Sequence, residues 1–129
     1  FTSGLQYYLA TLFYNAFPLP QREAGAGRSL HYMGELIGQG WCVLIFPEGD
    51  RTRRGEMYPF QPGVAMLASH ARVPVVPVRI QGLERVLNRD ARWPSHGRVK
   101  VSFGAPLTLQ GTGYSAEAKR LEQAVRALN

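Results

Sequence analysis

The sequence predicts an α/β fold in which a mostly parallel sheet is flanked by helices. Two observations carry the prediction. Residues 41–46 and 73–80 are apolar almost throughout, which marks strands buried on both faces, as a parallel sheet requires. Between them a helical pattern starts near Gly63 and carries Val64, Met66, Leu67 and Ala68. A strand–helix–strand unit of this kind closes as a right-handed crossover between parallel strands.

The elements follow in order along the chain. Leu5, Leu9, Leu12, Phe13 and Ala16 recur at helical spacing, so a helix is expected over 5–16, with Tyr7, Tyr8 and Tyr14 widening its apolar girth. Pro18 and Pro20 push the residues before them out of the helical region, making 17–19 short and extended. A glycine-rich turn is expected at 25–27. Ser29 is positioned to cap a second helix, with Leu30, Met33 and Ile37 as its inward stripe and Gly38 and Gly40 ending it.

A strand is then expected near 42–46, a long loop over 47–62, the helix from Gly63, and a strand near 74–79. Pro74 and Pro77 lack a ladder donor, which argues for an irregular or edge placement of that strand. Residues 81–97 read as irregular, with helix at 83–88. Near 98–103, Val99, Val101 and Phe103 alternate with Arg98, Lys100 and Ser102, the pattern of a half-exposed strand. Ser115 is expected to cap a last helix lined by Ala118, Leu121, Val125 and Leu128. On that helix Glu122 and Arg126 pair one turn apart. All three strands are expected in one sheet, the first two parallel.

The 129 residues fit one domain able to bury a core without disulfides or metals. The formal net charge is +6, and thirteen of the fifteen basic residues are arginine, whose planar fork of donors matches phosphate. That balance suits phosphorylated ligands, anionic lipid surfaces or nucleic acid, and equally suits a solvated basic surface. Nucleic acid is disfavoured because no predicted strand interleaves basic and aromatic residues. The single cysteine, Cys42, sits in an apolar run and reads as a small buried residue. Three scattered histidines make no metal cluster. No apolar run reaches the roughly 18–20 residues that span a bilayer. The chain starts at Phe1 rather than methionine, and it is expected to be a piece of something longer.

The chemistry concentrates in Phe46-Pro47-Glu48-Gly49-Asp50-Arg51, directly after a predicted buried strand, where open α/β sheets bind ligands. Pro47 stops a ladder, and Gly49 lets backbone come close to a ligand. Glu48 and Arg51 place an acceptor and a forked donor in one short loop, with Arg53 and Arg54 nearby. The combination suits a phosphate plus a hydroxyl; it also suits a turn with solvated charges.

This block, followed by Gly55, Phe60, Pro62-Gly63 and Leu67-Ala68, resembles the "FPEGTRS" block of the lysophosphatidate (PlsC-like) glycerolipid acyltransferase family. Residues 73–78, Val-Pro-Val-Val-Pro-Val, resemble that family's next block, and 103–107, Phe-Gly-Ala-Pro-Leu, the one after it. Residues 17–22, Phe-Pro-Leu-Pro-Gln-Arg, resemble the block that ends in a phosphate-binding arginine. Two positions depart from the family pattern. Gln21 stands where the arginine usually falls, with Arg22 next to it, and Asp50 replaces a hydroxyl residue. The family's catalytic HxxxxD block is absent, because Leu36, Val75 and Val101 stand five positions after His31, His70 and His96.

The resemblance implies a glycerolipid acyltransferase-like fold, N-terminally incomplete. It implies acyl transfer from acyl-CoA or acyl carrier protein, as co-substrate, to a lysophospholipid or glycerol-phosphate-type acceptor. Neither a cofactor nor a metal is needed, and this chain is expected to be inactive by itself. Arg22 and Arg51 would hold the acceptor phosphate, and Glu48 an acceptor hydroxyl or Arg51. Gly49 would permit close approach, while Phe46, Pro47 and Pro77 support the site. The protein is expected in the cytoplasm, peripheral on a membrane face. The alternative is a non-catalytic domain that binds anionic lipid or coenzyme.

Overall fold

The computed structural model describes residues 8, 11–13, 23–50, 55–86 and 93–129. The chain forms two compact units, Phe1–Tyr32 and Met33–Asn129. In the first, residues 8 and 11–13 are helical, in keeping with the helix expected there. Helix α1, Glu23–Gly38, starts in this unit. It takes in residues 25–27, where a turn was expected, and begins well before Ser29. Alanine and glutamate between the glycines favour helix enough to offset the roughly 1 kcal/mol that each glycine costs.

In the second unit α1 ends in a Schellman closure. Trp41 N–H donates to Leu36 O at 3.0 Å, and Gly40 N–H to Ile37 O at 2.9 Å. Gly40 supplies the required positive φ of 87°. Met33 is buried and Ile37 half-buried, as their stripe predicts. Helix α2, Gly63–Ala71, lies where its pattern puts it. Strand β1 is Val78–Gln81, short helix α3 is Leu83–Val86, strand β2 is Lys100–Phe103, and helix α4 is Tyr114–Arg126.

The strands expected near 74–79 and 98–103 share a sheet. β1 and β2 pair antiparallel, Val78 opposite Phe103 and Gln81 opposite Lys100. Among the described residues no parallel pair forms. The prolines set where the ladder starts, as anticipated. Val75, between Pro74 and Pro77, exchanges both backbone bonds with Leu107 at 2.8 Å in an isolated bridge. Regular pairing begins only after Pro77, whose carbonyl accepts Gly104 N–H at 2.9 Å.

Residues 41–46 carry no ladder among the described residues. Half-buried Val43 and Ile45 alternate with exposed Cys42, Leu44 and Phe46, a two-residue period. An apolar run predicts burial only where a neighbouring layer exists to cover it, and here Leu44 is 73% exposed. Cys42 is accordingly exposed rather than buried. β2 shows the same effect: Val101 and Phe103 are exposed while Ser102 is half-buried.

The core lies between α2 and α4. Val64, Ala65 and Ala68 pack with Leu109, Ala118 and Leu121, and Phe60, Val75, Leu107 and Tyr114 close the margin. Ser115 does not cap α4. The helix starts one residue earlier, behind Gly113 and without a side-chain cap, because Tyr114 is drawn against the core.

Candidate functional site

The turn after residues 41–46 is built from backbone. Gly49 N–H donates to Phe46 O at 3.3 Å, closing a four-residue turn, and Gly49 has φ +74°. Pro47 O accepts Gln61 N–H at 2.8 Å, so the start of the loop is tied to the residues that lead into α2. Within that tie Glu48 is half-buried. Its Oε2 accepts Tyr58 N–H at 2.7 Å. A carboxylate offers about four lone-pair sites, so one backbone bond orients Glu48 and leaves acceptor capacity for a ligand hydroxyl.

A second tier, which the sequence reading missed, holds the far side of this loop. Glu122 Oε2 on α4 accepts Phe60 N–H at 3.1 Å, and Arg126 Nη2 donates to Met57 O at 2.8 Å. The two side chains join each other, Arg126 Nε to Glu122 Oε1, at 2.9 Å. The Arg126 hydrogen bond and the Phe60 amide hold the Glu122 carboxyl below the usual carboxylate range. Arg79 of β1 in turn binds the last carbonyl of α4, Arg126 O at 2.9 Å, and Leu128 O just beyond the helix at 2.7 Å. The one sequence signal for this tier was the spacing of Glu122 and Arg126, which predicts their pairing and is silent on the loop they grip.

Of the expected site residues, Glu48 and Gly49 share the turn, with exposed Phe46 and half-buried Pro47 leading into it. Pro77 is buried at the head of β1. Arg22 and Arg51 lie outside the described residues. Gly49 has a more specific reason to be glycine than ligand approach: its φ is +74°, and among the described residues a Cβ there would meet only Gln61 Cγ at 3.8 Å, so the constraint is torsional. His70 has a structural place, its Nδ1 2.8 Å from Met66 O and its ring tilted against Tyr114 at 6.0 Å. Among the described residues no group of His, Cys, Asp and Glu is arranged to hold a metal.

The model of the Acyltransferase family matches residues 6–81, a span that includes the whole Phe46–Asp50 turn and ends with β1. This chain belongs to the Acyltransferase family. Among its relatives is the chloroplastic 1-acyl-sn-glycerol-3-phosphate acyltransferase BAT2 of Brassica napus, 34% identical over 57% of this chain and 22% of the relative. The human 1-acyl-sn-glycerol-3-phosphate acyltransferase beta is 33% identical over 76% of this chain and 34% of its own length. The crystal structure of the 1-acyl-sn-glycerophosphate acyltransferase PlsC from Thermotoga maritima superposes with a TM-score of 0.70 at 28% identity. That match covers 78% of this chain and 43% of PlsC. The chain thus spans less than half the length of each of these acyltransferases, and the PlsC-like fold expected from its motifs is the fold it has.

Proposed function

We propose that this acyltransferase-family chain contributes the acceptor-binding loop of an enzyme that acylates a lysophospholipid or glycerol-phosphate-type acceptor. The donor is acyl-CoA or acyl carrier protein. The observation that carries the reading is the Glu48 carboxylate, half-buried and oriented by Tyr58 N–H, inside the span 6–81 matched by the Acyltransferase family model. In the reaction the acceptor hydroxyl oxygen attacks the thioester carbonyl, the C–S bond breaks, and the thiol leaves with the hydroxyl's proton. Glu48 holds an acceptor hydroxyl or Arg51, Arg22 and Arg51 bind the phosphate, and Pro77 supports the floor of the site. On the same reading residues 1–129 are an N-terminally incomplete portion of one domain, in which 42–46 join a mostly parallel sheet.

None of the three histidines has an aspartate five positions on, so the base belongs to other residues of the intact protein. A positioned base contributes about 10²–10⁴-fold. The site also works at a membrane surface, a reading supported by the net charge of +6 and by exposed Trp41, Phe46 and Phe103. Among the described residues no helix is long and apolar enough to cross a membrane.

The test is thiol release from acyl-CoA with lysophosphatidate, comparing the 129-residue chain with a form extended upstream through any HxxxxD. Activity only in the extended form, abolished by replacing its histidine with alanine, is the expected result. Equal turnover by the short chain would overturn it. Inactivity of both would favour a domain that binds anionic lipid or coenzyme without catalysis.

A further inference from the structure

We propose that Glu122 and Arg126 of α4 are positioning residues for the acceptor-binding loop, acting on Glu48 through the backbone of residues 57–60. The proposal rests on the reading of Glu48 as an acceptor-binding group. Both residues lie beyond the 6–81 span matched by the family model, so they extend the site outside the blocks that define the family.

The connection runs through named atoms. Tyr58 N–H, which orients the Glu48 carboxylate at 2.7 Å, sits between two residues whose backbones α4 holds. On one side Arg126 Nη2 grips Met57 O at 2.8 Å. On the other Glu122 Oε2 grips Phe60 N–H at 3.1 Å, and the mutual Nε–Oε1 bond of 2.9 Å fixes the two grips relative to each other. Met57, Tyr58 and Phe60 span four positions, so displacing either flanking group turns the Tyr58 amide away from Glu48. α4 can serve as the fixed reference because Ala118, Leu121 and Val125 bury the stripe that adjoins Glu122 and Arg126 and Arg79 binds the carbonyls at its end. Phe60 itself packs against the core, so the loop is anchored at its side chain and aimed by its amide. A guanidinium is suited to this double duty, since its planar fork reaches a carboxylate and a carbonyl at once.

A surface ion pair on a helix would ordinarily do little. Here the pair also satisfies two backbone groups of a distant loop, and such charge-assisted bonds are stronger than neutral ones. The expected effect of removing them is therefore local and directional, shifting the loop more than the fold.

Two measurements on the full-length protein test the proposal. The first is amide hydrogen exchange. Glu122→Ala and Arg126→Ala are expected to accelerate exchange at Phe60 and also at Tyr58, by about tenfold. Glu122→Gln keeps an acceptor for Phe60 N–H and should restore most of the protection. Arg120→Ala is the control. It sits on the same helix and has its own 3.2 Å pair with Glu117, but it bonds Thr108 O rather than the loop. An unchanged Tyr58 rate in Glu122→Ala, or one no faster than in Arg120→Ala, would overturn the coupling.

The second measurement is steady-state kinetics with lysophosphatidate and acyl-CoA. A positioning role raises the KM for the acceptor about tenfold and leaves that for the donor alone, whereas general destabilisation lowers the active fraction and moves neither KM. Faster Tyr58 exchange with an unmoved acceptor KM would uphold the coupling and sink the assignment of Glu48 to the acceptor. The exchange arm decides the coupling even if the full-length protein proves to have no acyltransferase activity.

Discussion

Replacing Gly49 with alanine perturbs the candidate loop at a single torsion. The glycine has φ +74°, and among the described residues the added methyl would meet only Gln61 Cγ at an ordinary 3.8 Å, so torsion is the cost to be weighed. A left-handed backbone costs an L-residue roughly 1–2 kcal/mol. The stiffer unfolded chain of the alanine variant returns about 0.4–1 kcal/mol. The net expectation is a loss of about 1 kcal/mol, or about 3–5 °C in Tm for a chain of this size. Urea denaturation measures it directly, with an unchanged m-value showing that the same transition is followed. Gly49→Asn provides the internal comparison, because asparagine tolerates the left-handed region and should recover much of the stability. Acceptor KM in the intact enzyme then separates torsion from close approach. If only φ matters, the asparagine variant binds acceptor nearly as well as glycine; if the acceptor lies against the backbone, both variants bind poorly. Stability of Gly49→Ala within about 0.3 kcal/mol of the parent would refute the torsional account, since the expected loss is several times larger.

Three further outcomes are expected. The Glu122 carboxyl is held below its ordinary range, so the unfolded chain binds more protons in acid. The stabilisation is therefore complete above about pH 5 and is lost as pH falls through the lowered folded value. The urea-midpoint difference between the parent and Glu122→Gln should shrink to nothing across that fall. Leu121→Ala, at a site 3% exposed in the α2–α4 core, should cost about 3 kcal/mol, read from the same denaturation curves. Flotation with anionic liposomes should show binding that weakens steeply with salt, as expected at about 1 kcal/mol per arginine near the surface. Equal binding to neutral vesicles at low and high salt would refute a peripheral electrostatic attachment.

Much of the helical framework was legible because local periodicity and local chemistry agree there. α2 and α4 fall where Val64, Leu67, Ala68, Ala118, Leu121 and Val125 recur at helical spacing, and these residues are buried. The break at Pro77 was legible for the same reason, since a missing N–H is a property of the residue itself. The sheet was legible only in part. The strands expected near 74–79 and 98–103 do share a sheet, with 78–81 antiparallel to 100–103, while the expected parallel pairing of 42–46 with 74–79 does not form among the described residues, because an apolar run states that a strand wants neighbours without stating which neighbour or in which direction. The limits of α1 were also misread: helical propensity summed over 23–38 outweighed three residues of turn-like sequence at 25–27.

For the site, the sequence by itself determined the chemistry on offer. The block around Glu48 and Gly49, its family and the absence of an HxxxxD partner for His31, His70 or His96 are all properties of residue order. Only the tertiary structure decided how Glu48 is aimed. Tyr58 N–H lies ten positions along the chain, and the Glu122 and Arg126 grips reach back 62 and 69 positions. The helical spacing of Glu122 and Arg126 encodes their own pairing. Which backbone groups those side chains also satisfy depends on where α4 comes to rest, and the packing of Ala118 and Leu121 against α2 sets that.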